Sequence, residues 1–353
     1  MLKIRTVMQR NYFSYKYTSF ILLLVFCIAA CKKEEYAIPT PKNELQNDVI
    51  KRTLGPNIVG LPIEFAYAMA LPRAKGKLVS AQVEASIAGA SGTFLEHRSF
   101  FTNASGQDVP VVVGTPSVNE TNRTKVNFNV DTNAATLRYY YLIPEEARGK
   151  AVSFTFSATS SDGSTVSYKM GPYNISKMDI VRNLKVTNSD SSYISIADMT
   201  VYSKNTVAAN AGKVDLIYLY RTTPAAFTHA LVSPAADPQY LPGVTLPAGV
   251  NRNTKVLKTF NLVDWNLVRS LPFFPPGAPA TYTSSTASGS YIDDRDFQEI
   301  NLSNAPNYAT GLRAEAGTWV ETTDGKYRAF IFINTINNNS GGSAVISMLR
   351  YAL

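Results

Sequence analysis

The side chains able to carry proton or metal chemistry are few. The chain has two histidines, His97 and His229. His229 lies inside the apolar run Phe227-Thr228-His229-Ala230-Leu231, where a hydrogen-bonded core or surface histidine is the expected role. Asp293, Asp294, Asp296 and Glu299 form the densest acidic cluster. They are weak candidates for calcium, a hard cation that wants several carboxylate oxygens. They lack the glycine and the alternating spacing of a calcium loop. Asp293 or Asp294 capping a helical turn, with Arg295 offsetting charge, explains them more simply. No metal and no cofactor is therefore expected. No P-loop, HExxH, GxSxG or dinucleotide glycine pattern stands in a suitable context. A pair of glycosidase carboxylates would come from distant positions and is not readable from spacing. The chain is accordingly expected to be no enzyme, with a hydrolase of unrecognised site as the last-ranked alternative.

Aromatic side chains offer a different chemistry. Sugar rings present apolar C–H faces that stack on tryptophan and tyrosine, while polar neighbours bind the hydroxyls. Trp265, Phe273, Phe274, Tyr282 and Tyr291 are the candidate ligand-binding residues, with core packing as the competing role because aromatics bury large areas. Trp319, followed by Val320 in a strand, reads as core. Tyr139-Tyr140-Tyr141 must place rings on both faces of a strand, so some are expected to be exposed or at an interdomain contact.

The elements that would position these residues read as mainly β. Ile63–Met69, Val126–Val130, Val152–Ala158 and Val166–Met170 alternate apolar and polar residues, the mark of half-buried antiparallel strands. Ser161-Asp162-Gly163-Ser164 is a hairpin turn, since Asp-Gly tolerates positive φ and matches strand twist. Pro144–Arg148 reads as one helical turn ended by Gly149. Several short strands with turns between them predict an immunoglobulin-like sandwich over 57–175. A second β-rich domain, a β-sandwich or α+β, follows over 176–353. In it Lys213–Tyr220 is apolar on both faces and so central, and Lys204–Ala211 is a short helix. Trp319–Glu321, Tyr327–Asn334 and Ala344–Tyr351 make a meander. Region 221–312 holds ten of the nineteen prolines and loses periodicity, which predicts long loops packed on the sheet by their aromatics. Asp264 is placed as the cap of a short helix carrying Trp265, Val268 and Leu271.

The N-terminus carries an address. Lys3, Arg5, Arg10 and Lys16 precede the apolar run Phe20–Ala30, about eleven residues and too short for a bilayer core that needs roughly twenty. A basic segment, a short apolar run and small residues make a secretory signal peptide over 1–30. Ile28-Ala29-Ala30-Cys31 resembles the lipobox of bacterial lipoproteins, which implies diacylation of Cys31 and attachment to a membrane. An ordinary secretory signal or a short membrane anchor is the alternative. Lys33-Glu34-Glu35, just after Cys31, looks like the surface-export signal of Bacteroidota lipoproteins. That implies an outer-membrane anchor facing the exterior, against a plain solvated tether or a periplasmic orientation. Residues 31–56 read as that lipidated tether, with a short helix at Glu44–Arg52. Cys27 and Cys31 are the only cysteines, so the mature chain has no disulfide. Removing 1–30 leaves 30 basic against 26 acidic residues, too mild a balance for nucleic acid.

Tyr140–Lys150, Gly171–Met178, Tyr193–Val201, Gly317–Glu321 and Asp324–Ala329 are similar to a group of two-domain Bacteroidota surface lipoproteins with no assigned activity. The resemblance implies the two-domain layout and the surface address, and transfers no catalytic residue. The leading expectation is binding of an extracellular glycan as an accessory to uptake. A structural or adhesive protein that binds an envelope protein partner is the alternative.

Overall fold

The structure is a computed structural model that describes residues 42–190, 192–259, 262–264, 268–270, 289–339 and 341–353. Strand formation begins at β1 (Gln46–Lys51) and β2 (Pro62–Ala70), followed by β3 (Leu78–Ala85), β4 (Phe94–Leu95), β5 (Arg98–Thr102) and β6 (Asp108–Val112). β7 (Val118–Glu120), β8 (Arg123–Asn127), β9 (Ala134–Leu142), β10 (Ala151–Ser160) and β11 (Thr165–Asn174) complete the first domain. One sheet has the order β1-β2-β9-β4 and the other β11-β10-β3-β8-β7. Strands A-B-E-D and G-F-C of an immunoglobulin sandwich follow this pattern when β2 and β3 are B and C.

The expected alternation drives this packing. Ile63, Phe65, Tyr67 and Met69 of β2 face Val152, Phe154, Phe156 and Ala158 of β10 in one buried core. Phe65 and Phe154 lie 4.9 Å apart at a tilt of 59°, a geometry that suits the ring quadrupoles. Tyr139 and Tyr141 are core, and the Tyr141 hydroxyl donates to the Ile87 carbonyl at 3.0 Å. Tyr140 points outward and stacks on Phe94 at 4.7 Å. β5 and β6 form a separate two-stranded ribbon.

The sequence reading is corrected at the start of the domain. Residues 44–52 are not a tether helix: Gln46–Lys51 is a strand that pairs antiparallel with Phe65–Ala70 of β2. An isolated helix of nine residues is marginal. In a strand, Val49 reaches the core beside Tyr67, and Asn47 donates to the Tyr67 hydroxyl at 3.2 Å.

The second domain comprises β12 (Asp179–Thr187), β13 (Tyr193–Ser195), β14 (Thr200–Tyr202), β15 (Leu216–Arg221), β16 (Thr228–Val232) and β17 (Lys255–Thr259). These are followed by β18 (Leu262–Asp264), β19 (Val268–Ser270), β20 (Gly289–Tyr291), helix α1 (Asp294–Glu299), β21 (Tyr308–Leu312), β22 (Gly317–Glu321), β23 (Tyr327–Asn337) and β24 (Ser343–Ala352). Two five-stranded sheets, β12-β24-β23-β22-β17 and β14-β13-β15-β16-β21, enclose a second core. Both central strands are buried on two faces, as near-continuous apolar runs require. In β23, Ala329, Ile331 and Ile333 face the other sheet while Phe330 and Phe332 face away. In β15, Leu216 and Tyr218 point inward and Ile217 and Leu219 pack under the segment that includes Val207, Ala236 and Val250. The short helix expected at Lys204–Ala211 is a 3-10 segment at Ala208–Lys213.

Region 221–312 is less irregular than its prolines imply. β16, β17 and β21 fall in it and belong to the two main sheets. They were hidden because strands of five residues offer too little alternation to stand out among the prolines. Asp264 does not cap a helix: it ends β18, which pairs with β19. Leu262-Val263 and Val268 favour extended backbone.

Candidate functional site

The junction between the two domains is built from fixed contacts. Arg148 pairs with Glu145, reaches the Lys177 and Met178 carbonyls at 3.1 and 3.2 Å, and meets Asp179 at 2.8 Å. Asp294 accepts from the Ser176 hydroxyl and from the Lys177 N–H at 3.0 Å. Beneath them a third apolar core joins Ile58 of the first domain to Met178, Ile292, Phe297, Trp319 and Phe330 of the second. Trp319 is thus core, as its strand position predicts.

A cleft of about 240 Å³ opens at this junction. Leu54, Asn57 and Leu61 line it from the first domain, and Ile180, Arg182 and Tyr291 from the second. β20 delivers Tyr291, with Val268 of β19 as its backbone partner. The ring of Tyr291 lies against Gly55, whose φ is +81° and where a Cβ would stand 2.8 Å from the ring. Gly55 therefore allows both the turn and the close approach of the ring. Leu54 is 77% exposed at the rim. The volume falls below the roughly 300–1,000 Å³ of drug-sized ligand pockets, so the cleft accommodates one ring or one side chain and not an oligomer.

Of the residues singled out from sequence, Tyr291 reaches this cleft. Trp265, Phe273, Phe274 and Tyr282 lie outside the described residues, as do Cys31, Lys33, Glu34 and Glu35. The carboxylates next to Tyr291 are occupied with structure. Asp293 is the N-cap of α1 and accepts from the Arg295 and Asp296 N–H groups, while Asp296 accepts from the Asp293 N–H at 3.1 Å. Asp294 bonds the domain junction as above, and Glu299 pairs with Arg295 at 2.6 Å. Among the described residues no group of three or more His, Cys, Asp or Glu side chains is placed to hold a metal ion.

His229 is buried with both ring nitrogens engaged. Its Nε2 meets Asn338 Oδ1 at 2.7 Å and its Nδ1 meets the Tyr218 hydroxyl. Asn338 Oδ1 only accepts, so Nε2 donates to it. His97 lies beside Glu96 at 3.3 Å. A charged cluster built on the buried Asp215 links the sheets: Asp215 accepts from the Ile196 N–H at 2.8 Å and pairs with Arg252 at 2.9 Å, and Arg252 also meets the exposed Asp324 at 2.9 Å. Burial pushes the Asp215 carboxyl up to about 6, against the pull of the Ile196 N–H and Arg252. Asp324, although partly desolvated, is held down to about 2 by Thr322, the Lys326 N–H and Arg252.

Sequence reasoning missed Leu54, Asn57 and Arg182. The available signal was Leu54-Gly55-Pro56, a large apolar residue just before a turn dipeptide in a polar stretch.

Fold and junction together define a protein of two β-sandwiches with a small cleft between them. Two family models divide the chain at this junction: a domain of unknown function, DUF4466, matches residues 42–175, and a second, DUF8576, matches 176–353. The crystal structure of a DUF4466 family protein from Parabacteroides merdae is 45% identical with a TM-score of 0.77, over 89% of this chain and all of that one. The chain belongs to the DUF4466 family. A C-terminal fragment of the major pilin of Streptococcus agalactiae is 13% identical with a TM-score of 0.26, over 44% of this chain and 66% of the fragment, a likeness too low to carry an argument. A comparison with curated proteins gives no match.

Proposed function

We propose that this protein is a non-catalytic lipoprotein, anchored at Cys31 to the outer membrane and facing the exterior, which binds a glycan end in the junction cleft. The observation that carries the ligand-binding reading is the cleft itself, lined by the apolar Leu61 and Ile180, by Tyr291, and by Asn57 and Thr53, whose side chains also bond the Asn174 carbonyl and the Glu64 N–H. A pyranose presents the matching pair of surfaces, an apolar C–H face for the ring and hydroxyls for the amide. The size of the cleft favours a single terminal sugar. Trp265, Phe273, Phe274 and Tyr282 are proposed as further sugar-stacking residues on their sequence alone. The anchor rests on the N-terminal sequence, the basic segment, the short apolar run and Ile28–Cys31.

The test is a glycan array followed by affinity electrophoresis with an unlipidated chain starting at Lys32. The expected result is a saccharide hit weakened about tenfold or more by Tyr291→Ala, equivalent to ~1.4 kcal/mol, in a protein that still melts as the wild type does. A hit that survives both Tyr291→Ala and Trp265→Ala would move the site elsewhere. A blank array together with crosslinking of the intact cell to one envelope protein would replace the glycan by a protein partner. The second reading has its own observation: among the described residues β11 is the edge strand of its sheet, beside β10, and an open edge strand is a template for another chain.

A further inference from the structure

We infer that the saccharide bound in the junction cleft ends in an anionic sugar, a sugar acid or a sulfated sugar, whose charge is held by Arg182; this rests on the proposed reading of the cleft as a glycan site. Among the described residues that line the cleft, Arg182 is the only charged one. Its companions there include the aliphatic Ile58, Leu61, Ile180, Ile292 and Leu349. Arg182 is half-buried, and its Nε is shielded from solvent. A charge against an apolar wall costs solvation energy. The same surroundings strengthen its attraction for an opposite charge relative to water.

The course of β12 delivers this side chain. Val181 stands opposite Met348 of β24, and Leu184 stands opposite Ile346. Three steps along β12 therefore match two along its partner, which is a bulge of one residue. Asn183 lies in the bulge with a φ of +61°, a left-handed conformation that asparagine visits more readily than most residues. Val181 and Leu184 both pack against the second core, whereas Ile180 packs against the third and lines the cleft. In unbroken alternation Leu184 would share the side of Ile180 and Arg182. The extra residue returns Leu184 to the core and leaves Arg182 with Ile180 in the cleft lining. Re-aiming a side chain in this way is what bulges do beside binding sites.

The chemistry of the guanidinium defines the ligand. It is planar, always charged and offers parallel N–H donors that match two oxygens of a carboxylate or of a sulfate ester. A pyranose that bears such a group keeps the apolar C–H face that suits Tyr291. One ring with one acidic substituent also suits a cleft of about 240 Å³. An adjoining depression shares Pro56 and Asn57 with the cleft and is lined by Asp293, Asp294 and Glu299 together with Arg295. Its excess of negative charge repels an anion from that side. The acidic group accordingly points to β12 and the rest of the glycan away from it.

The test is titration calorimetry of the unlipidated chain starting at Lys32 with two pairs of oligosaccharides. One pair ends in a uronic acid or its methyl ester, the other in a sulfated sugar or its desulfated counterpart. At least one acidic end is expected to bind about tenfold or more tighter than its neutral counterpart, and added salt should narrow that ratio. The pair that shows the preference tells carboxylate from sulfate. Arg182→Gln should bring the ratio to about one, and Arg182→Lys should restore part of it. Each ratio is read within one variant, and a melting curve shows that the variant is folded. The absence of a preference in both pairs overturns the inference, and so does a preference that survives Arg182→Gln. Neutral ends that bind without preference and are weakened by Tyr291→Ala would remove the anion and keep the cleft as a sugar site. Failure of every saccharide to bind would refute the cleft reading and this inference together.

Discussion

Asp215 shows how one buried residue sets a dependence on pH. Its carboxyl is fully buried, and burial raises it to about 6 from an ordinary value near 4. A carboxyl raised on folding favours the native state below its unfolded value and loses that contribution as pH rises through its folded value. Relative to Asp215→Asn, the wild type should therefore lose stability between pH 4 and pH 7, by up to about 3 kcal/mol. Asp324 runs the other way: its carboxyl is depressed, so its contribution is present above pH 4 and is lost as pH falls toward 2. The two effects occupy different windows. Urea midpoints of the wild type and Asp215→Asn at pH 4 and pH 7 check the sign, and a difference that grows in favour of the wild type at pH 7 would refute it.

At the scale of elements, the two hairpin turns of the β22-β23-β24 meander offer a controlled comparison. Gly342 and Gly325 both have positive φ, +62° and +65°. A Cβ on Gly342 would stand 2.2 Å from the ring of Tyr220, whereas Gly325 has open space. Backbone strain is the same at both, and only the collision differs. Gly325→Ala should cost about 1 kcal/mol and Gly342→Ala about 2 kcal/mol more, read from thermal unfolding. The meander itself was legible in the sequence, because Asp324-Gly325 and Gly341-Gly342 punctuate long apolar runs. The first sandwich was legible for the same reason, with Asp162-Gly163 between alternating strands. β1, β16, β17 and β21 were not. Each is five or six residues long, and their pairing with partners distant in sequence decides them more than their own composition. The cleft was legible only through Tyr291. Leu54, Asn57 and Arg182 come to it by tertiary folding, and no local pattern announces that.

At the scale of the molecule, residues 44–353 form one compact unit. The reason is the third core, where Ile58 is 3% exposed among Met178, Trp319 and Phe330. Unfolding should accordingly be a single transition, with the near-ultraviolet signal and the far-ultraviolet signal coincident. Ile58→Ala should lower the midpoint by the cost of a buried Ile truncation, about 2–5 kcal/mol. It should also draw the two signals apart, because the first domain then loses its grip on the second. Coincident signals in that variant would show that the polar contacts of Arg148 suffice to couple the domains.

The boundary between residues 175 and 176 is thus a border of inheritance that the physics of the fold ignores. A gene that carried only the first segment would encode a sandwich with Ile58 and Leu61 laid bare, and a gene with only the second would lose those two side chains from its third core. Neither half is a free module for recombination. For this lineage, exchange of parts is expected to succeed at the tips of the hairpins, and the two segments are expected to travel through genomes as a pair.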